Sequence, residues 1–171
     1  MQEVFVLLVF LIPVYIANSA PVVLGGGAPM DFRAVLSDGR RVLGQGKTIR
    51  GFVGGVLAGT VAGGIIAAAY QLPYFAGPSE QFVAGFVLSL GAMVGDSFGS
   101  FAKRRMDIES GKPFWPDTVL FLIVALVLVF PFASAELWQP FNIIFFLLLT
   151  VVLHPLTNAL ANRLGLKKVP W

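Results

Sequence analysis

The sequence predicts an all-α integral membrane protein of five transmembrane helices, and three observations carry that prediction. Hydrophobic residues make up 57% of the 171 and charged residues only 12%. The mean hydropathy of +0.83 belongs to a chain whose outer surface meets lipid rather than water. Charged residues leave four uncharged runs, 4–30, 51–79, 118–135 and 137–162, each near or above the roughly 17–25 residues that cross a bilayer as a helix. A fifth run, 81–95, reaches spanning length if its helix continues through Asp96 to about Phe101, which sets Asp96 at the membrane face and not at its centre.

The helices are expected at about 4–24, 51–71, 80–102, 117–135 and 138–162, in a single membrane domain with substantial loops at about 25–50 and 103–116. The first apolar run opens without a basic segment and is too long for a signal peptide, so it reads as a span. Along the second span Gly51, Gly55, Gly59 and Gly63 recur every four residues, and along the third Gly91, Gly95 and Gly99 do the same. Such small-residue stripes let another backbone approach closely. Docking along them would bring the loop before Gly51 beside the loop after Gly99. The same stripes could instead join two copies of the chain into a homo-oligomer, and the sequence leaves both readings open. The fourth span opens at Asp117, which precedes Thr118 and an apolar run in the manner of an N-cap. In the fifth, His154-Pro155 reads as a kink with a hydrogen-bonded imidazole, too far from the charged face for catalysis. Asn158 and Asn162 read as helix-to-helix hydrogen bonders.

Orientation follows from the cations. Arg33, Arg40, Arg41, Lys47 and Arg50 lie between the first and second spans, Lys103, Arg104, Arg105 and Lys112 between the third and fourth, and Arg163, Lys167 and Lys168 after the fifth; these are all twelve. Glu3, Glu80 and Glu136 occupy the other side. The positive-inside rule then sets the N-terminus outside and the C-terminus in the cytoplasm. The formal charge of +3 understates a cytoplasmic face that holds every cation and attracts anions. Arg163, Lys167 and Lys168 are expected only to meet anionic lipid headgroups. With no cysteine, disulfide and thiolate chemistry are excluded.

Two segments carry chemistry. The stretch 95–117, GDSFGSFAKRRMDIESGKPFWPD, sets carboxylates and a basic cluster at the end of an uncharged span. A carboxylate such as Asp96 beside hydrocarbon costs on the order of 2.5–3.5 kcal/mol and so faces a protein cavity with a cation partner. Lys103, seven residues on, lies on the same helix face and is the expected partner. Asp96 and Asp117 flank the basic loop as candidate ligands of a hard cation such as Mg²⁺, which prefers one or two carboxylates plus substrate phosphates. Asp107 and Glu109 read as solvated loop acids. In the first loop, Asp38-Gly39 suggests a hairpin turn. Beyond it, Gly44-Gln45-Gly46-Lys47-Thr48 is not a Walker A motif, because Arg41 stands where that motif needs glycine and no buried strand precedes it. Its chemistry survives nonetheless: glycines let backbone N–H groups approach phosphate, Lys47 and Arg50 supply charge, and Thr48 supplies a hydroxyl before a helix N-terminus.

The succession PVYIANSAP, P-M-D, DGRRVLGQGKTIRG, GDSFGSFAKRR and ESGKP closely resembles the archaeal CDP-archaeol synthase family, distantly related to the CDP-diacylglycerol synthases. The resemblance runs from Pro13 to about Asp117. It is most specific at Gly44-x-Gly46-Lys47-Thr48-x-Arg50-Gly51 and Gly95-Asp96-x-x-x-Ser100-x-x-Lys103-Arg104. Beyond Lys112 the match loosens, for the family usually carries two acids three residues apart where here Asp117 is followed by Thr118-Val119-Leu120. The resemblance implies a cytidylyltransferase in which an isoprenoid glycerol-phosphate lipid attacks CTP and expels pyrophosphate. It implies Asp96, Lys103 and Arg104 as catalytic residues and Mg²⁺ on Asp96 and Asp117. The triphosphate and the lipid phosphate would be held by Lys47, Arg50, Lys103, Arg104 and Lys112 with Gly46, Thr48 and Ser100. Asn18, just before Pro21, resembles a polar position of the family and either reads a base or bonds a freed backbone carbonyl.

Three other readings bear on the same residues. A small anion transporter or channel subunit should carry ionisable residues through the membrane depth, whereas here charge is confined to one face. A CDP-alcohol phosphotransferase would need D-G-x-x-A-R, which Asp38-Gly39-Arg40-Arg41-Val42-Leu43 does not supply. A cytidylyltransferase for diacyl phosphatidic acid differs only in the lipid chain, which an apolar span does not distinguish. Nucleic acid is not an expected partner. A lipid phosphate must reach the charged face from within the bilayer, so a lateral opening between helices near Asp96 is expected.

Overall fold

The computed structural model describes residues 2–109, 111–167 and 169–170; Ser110 of the ESGKP segment and Lys168 of the last cation group lie outside the described residues. The chain forms α1 (Gln2–Ser19), α2 (Pro21–Leu24), α3 (Ile49–Ala69), α4 (Pro78–Arg105), α5 (Asp117–Val129) and α6 (Pro140–Arg163). Short 3-10 turns at Phe130–Phe132 and Ala135–Trp138 join the last two. Among the described residues there is no strand, only the isolated bridges Pro29 with Thr48 and Val35 with Arg41. The second bridge closes the expected turn at Asp38-Gly39, where Gly39 takes a φ of +74° and Leu36 N donates to Arg40 O at 2.9 Å.

Among the described residues, four stretches are long and apolar enough to cross a membrane: Glu3–Leu24, Ile49–Ala69, Pro78–Arg105 and Pro140–Arg163. The fourth span expected from sequence, 117–135, is a shorter apolar helix. It ends at Val129 because Pro131 has no N–H for the ladder and Ala133 turns extended. The first expected span is likewise interrupted, at Ala20-Pro21, so α2 is a separate turn. Leu57, Val61 and Ile65 on α3 and Leu148, Val152, Leu156 and Leu160 on α6 are exposed at four-residue spacing. Each row is a lipid-facing stripe on a helix whose backbone bonds are satisfied internally.

The buried faces explain the glycines. Gly51, Gly55, Gly59 and Gly63 are the buried side of α3, and a Cβ on Gly63 would sit 2.9 Å from Gly85 Cα of α4. The row on α4 serves a different neighbour from the one expected. Gly91, Gly95 and Gly99 face α5, where a Cβ would lie 2.5 Å from Ala125 Cα, 2.7 Å from Phe121 Cα and 2.5 Å from Asp117 Oδ1 respectively. α4 meets α3 instead through Gly85, Ser89 and Met93. Both glycine rows are thus filled by contacts within one chain. Beneath them, Phe10 stacks on Phe146 with centroids 5.4 Å apart, and Tyr15 Oη meets Thr150 Oγ1 at 2.7 Å. The α3–α4 link is tied by buried Gln81, which accepts from Leu72 N at 2.8 Å and donates to Tyr70 O at 2.9 Å.

These contacts set a stability test. A side chain at Gly59 would run into Pro13 O at 2.6 Å and Ala17 Cβ at 2.9 Å, so Gly59→Leu is expected to cost about 1–3 kcal/mol by overpacking and to lower the thermal midpoint in detergent. Gly64→Ala meets only the Phe82 ring, which can turn aside, and should leave the midpoint unchanged.

Candidate active site

The first loop is built around one carboxylate. Asp31 has a fully buried side chain that accepts from Arg33 N at 3.1 Å, from Leu43 N and Gly44 N at 3.0 Å each, and from the Arg41 guanidinium. Burial alone would raise its pKa, but Arg41 and the three N–H donors outweigh it and hold the carboxyl well below the usual carboxylate range. Met30 N donates to Lys47 O at 2.8 Å and Ile49 N to Ala28 O at 3.0 Å, so the loop returns to α3 with Lys47 in a fixed place.

The two polar loops form one cap. Arg105 at the end of α4 donates to Asp38 at 2.5 Å and to Arg41 O at 2.6 Å, while Arg40 reaches Arg105 O at 3.1 Å and Asp107 at 3.1 Å. Asp107 is therefore an ion-pair partner and not simply a solvated acid. Below this seam Asp96 pairs with Lys47, not with Lys103. Lys103 is buried, and its ammonium donates to Asp117 at 2.9 Å and to Lys112 O at 2.8 Å. The expected Asp96–Lys103 pair on one helix is replaced by two pairs between elements, because Lys47 of the first loop reaches Asp96 and Asp117 of α5 reaches Lys103 within the same cavity.

These side chains line a cavity of about 450 Å³ at the charged end of the bundle, a size suited to a small organic ligand. From the residues picked out in the sequence, α1 supplies Asn18, the first loop Gly46 and Lys47, α4 Asp96, Ser100, Lys103 and Arg104, the second loop Lys112, and α5 Asp117. Arg104 Nε is buried with no hydrogen-bond partner among the described residues, as is Arg105 Nε. Asp96 and Asp117 are hard oxygen donors beside cations, a set that fits Mg²⁺ shared with phosphate. Among the described residues no three His, Cys, Asp or Glu side chains group as a metal cage.

Other expectations are corrected. Thr48 is outside the cavity lining: its Oγ1 caps α3, accepting from Gly51 N at 3.1 Å. Arg50 is exposed, also outside the lining. Gly44 N–H is taken by Asp31 and is not free for phosphate. Asp117 is the first residue of α5 and not its cap, which is Pro116. His154, set aside for its depth, lines the cavity with Asn158 and Lys167. It lies nine residues, about 13 Å of helix, before the end of α6, so the cavity reaches well below the charged rim. The signal that could have found this wall is the spacing of His154, Asn158 and Asn162 at i, i+4, i+8, one polar stripe on an otherwise apolar helix.

A helical bundle with lipid-facing stripes, and with cations and carboxylates gathered around a cavity at its charged end, defines a multi-pass membrane protein with a charged cavity. The whole chain, residues 1–171, matches the model of the family described as CarS-like, CDP-archaeol synthase. The chain belongs to that family. It is 43% identical over 164 residues to the CDP-archaeol synthase of Pyrococcus horikoshii, covering 95% of this chain and 94% of the relative. It is 44% identical to that of Methanopyrus kandleri, covering 95% and 90%. A solved structure described as an intramembrane enzyme for archaeal membrane lipids biosynthesis superimposes with a TM-score of 0.78 at 38% identity, covering 88% of this chain and 91% of that one.

The buried Asp31 gives a pH test. Its pKa is lowered on folding, so its contribution to stability is present above the unfolded value of about 3.9 and is lost as pH falls from there through the folded value. Asp31→Asn is expected to cost about 1–3 kcal/mol at pH 7 and to make the thermal midpoint less sensitive to acidification below about pH 4. Parallel pH profiles for the two proteins would contradict the assignment.

Proposed function

We propose that this cavity is the active site of a Mg²⁺-dependent cytidylyltransferase working at the cytoplasmic membrane face. Family membership makes the chain a membrane cytidylyltransferase that forms CDP-archaeol in archaeal lipid synthesis. The observation that carries the site assignment is the convergence of Lys47, Lys103, Arg104 and Lys112 with Asp96 and Asp117 on one cavity. Anion conduction is not favoured, because the buried polar residues among those described are Asp31, Gln81, Ser89, Lys103 and Thr150. That set leaves no ionisable series through the membrane depth.

In the reaction a lipid-phosphate oxygen forms a bond to the α-phosphorus of CTP, while the bond from that phosphorus to the oxygen bridging the β-phosphate breaks. The electron pair leaves with pyrophosphate. The nucleophile is already an anion, so no general base is needed, and the barrier is mainly repulsion between two polyanions. Positioned positive charge is what lowers it. Lys47 and Lys103 are preorganised for this by the carboxylates that hold them, and Arg104 offers an unspent donor. Ser100 and Gly46 line the phosphate region, and Asn18 lies on the deeper wall. Asp96 and Asp117 would hold Mg²⁺, which when bound neutralises phosphate charge. Lys47 and Lys103, beside those carboxylates, would meet the substrate phosphates.

The lipid is an isoprenoid glycerol phosphate whose phosphate enters laterally, between α2 and α6, where Pro21, Val22 and Pro155 line the cavity. In this arrangement α5 with its 3-10 turn makes a fifth crossing, the N-terminus lies outside, and one membrane domain holds the whole site.

Pyrophosphate release by detergent-purified protein is expected to require CTP, Mg²⁺ and the lipid phosphate together, with an isoprenoid ether lipid preferred over a diacyl one. Asp96→Asn should lower turnover at least about 100-fold with the fold intact, and Lys103→Ala and Arg104→Ala should act in the same direction. Near-normal turnover in Asp96→Asn would remove it from the site. Folded protein inactive with every nucleotide and lipid would return weight to anion conduction.

A further inference from the structure

The segment after α6 folds back over the cavity. Gly165 takes a φ of +72°, Gly165 N donates to Asn162 O at 3.0 Å and Leu166 N to Ala161 O at 2.9 Å, a helix-ending turn that reverses the chain. Asn162 Nδ2 then donates to Lys167 O at 2.8 Å, which fixes the returning backbone. The Lys167 ammonium donates to Asn158 Oδ1 at 2.9 Å. Asn158 Nδ2 lies 2.9 Å from His154 Nε2, and His154 Nδ1 lies 3.4 Å from Asn18 Nδ2. A continuous polar wall therefore runs from Lys167 down α6 to α1, with all four residues lining the cavity.

Lys167 differs from the lysines opposite. Lys47 is paired with Asp96 and Lys103 with Asp117, whereas Lys167 has a neutral amide as its hydrogen-bond acceptor and, among the described residues, no carboxylate within ion-pairing distance. Burial first, and then Lys47 and Lys103, push its ammonium below the ordinary lysine range, and Asp96 and Asp117 counter this only in part. A cation held at a cavity by a neutral amide, beside two lysines already matched with acids, has among the described residues no anion that balances it.

We infer that Lys167 is a phosphate-binding residue of this site, held toward the substrate by Asn158 and by the turn at Gly165. This rests on the cytidylyltransferase reading for the identity of the phosphate, which belongs either to the triphosphate of CTP or to the lipid. It departs from the expectation that this lysine meets only lipid headgroups. Asn158 is the positioning residue, and it carries the ammonium on the same polar wall that His154 and Asn18 complete.

The test uses Lys167→Gln and Lys167→Arg in the whole chain, purified in detergent. Glutamine still offers an N–H to Asn158 but no charge, so a merely structural tether would survive it. Three quantities are measured: KM for CTP at saturating lipid phosphate, KM for lipid phosphate at saturating CTP, and equilibrium binding of inorganic triphosphate, which needs no turnover. Lys167→Gln is expected to worsen at least one of them about tenfold or more, with Lys167→Arg retaining most of the function. A change in the CTP and triphosphate values assigns Lys167 to the nucleotide, and a change in the lipid KM alone assigns it to the lipid phosphate. All three values unchanged in Lys167→Gln would overturn the inference. If the unaltered protein does not turn over, the cytidylyltransferase reading fails, and triphosphate binding still decides Lys167: equal binding, or none by either protein, overturns it. Lys167→Met replaces the glutamine variant if that one does not fold.

Discussion

The site depends on how closely three helix backbones approach one another. α1, α3 and α4 meet where Gly55, Gly59, Gly63 and Gly85 add no side chain of their own, and that approach brings the end of the loop before α3 against the polar end of α4. Lys47 can then reach Asp96, forty-nine residues later in the chain. In lipid such packing has little hydrophobic drive, because side chains and acyl tails are equally apolar, so close contact and polar bonds must supply it. A methyl group at Gly63 would separate α3 from α4 and displace Lys47 with the loop that carries it.

The second glycine row does the same for the other carboxylate. At Gly99 the space a Cβ would fill is occupied by Asp117 Oδ1, so Asp117 lies beside α4 where Lys103 can hold it. Two acids and two lysines thus form crossed pairs between separate elements. Such pairs are costly to desolvate and add little to net stability. In the proposed function their value is to fix positive groups around a space that phosphate can enter, with each acid balancing the charge of its lysine.

The loops are organised by fewer interactions than their length suggests. Asp31 gathers Arg33, Arg41, Leu43 and Gly44 around one buried carboxylate, and Arg105 and Arg40 stitch that loop to α4. Several cations that composition alone would assign to topology are thereby committed to structure. Arg40, Arg41 and Arg105 bond within the cap, while Lys47, Lys103, Arg104 and Lys167 line the cavity.

The sequence by itself determined the membrane class, the approximate helices and the charged end, because hydropathy and basic residues are properties of short segments. The motifs holding Asp96, Lys103 and Lys47 were legible in the same way, since short segments suggest phosphate chemistry and resemble those of the family. Tertiary structure alone decided the partners. Asp96 with Lys47, Asp117 with Lys103, and Lys167 with Asn158 depend on which helix faces meet, and one strand of sequence does not say which of two glycine rows faces which neighbour. The depth of the cavity was hidden for the same reason: His154 looks remote along α6, yet it is near Asn18 across the bundle, because distance along a helix says nothing of the gap between two.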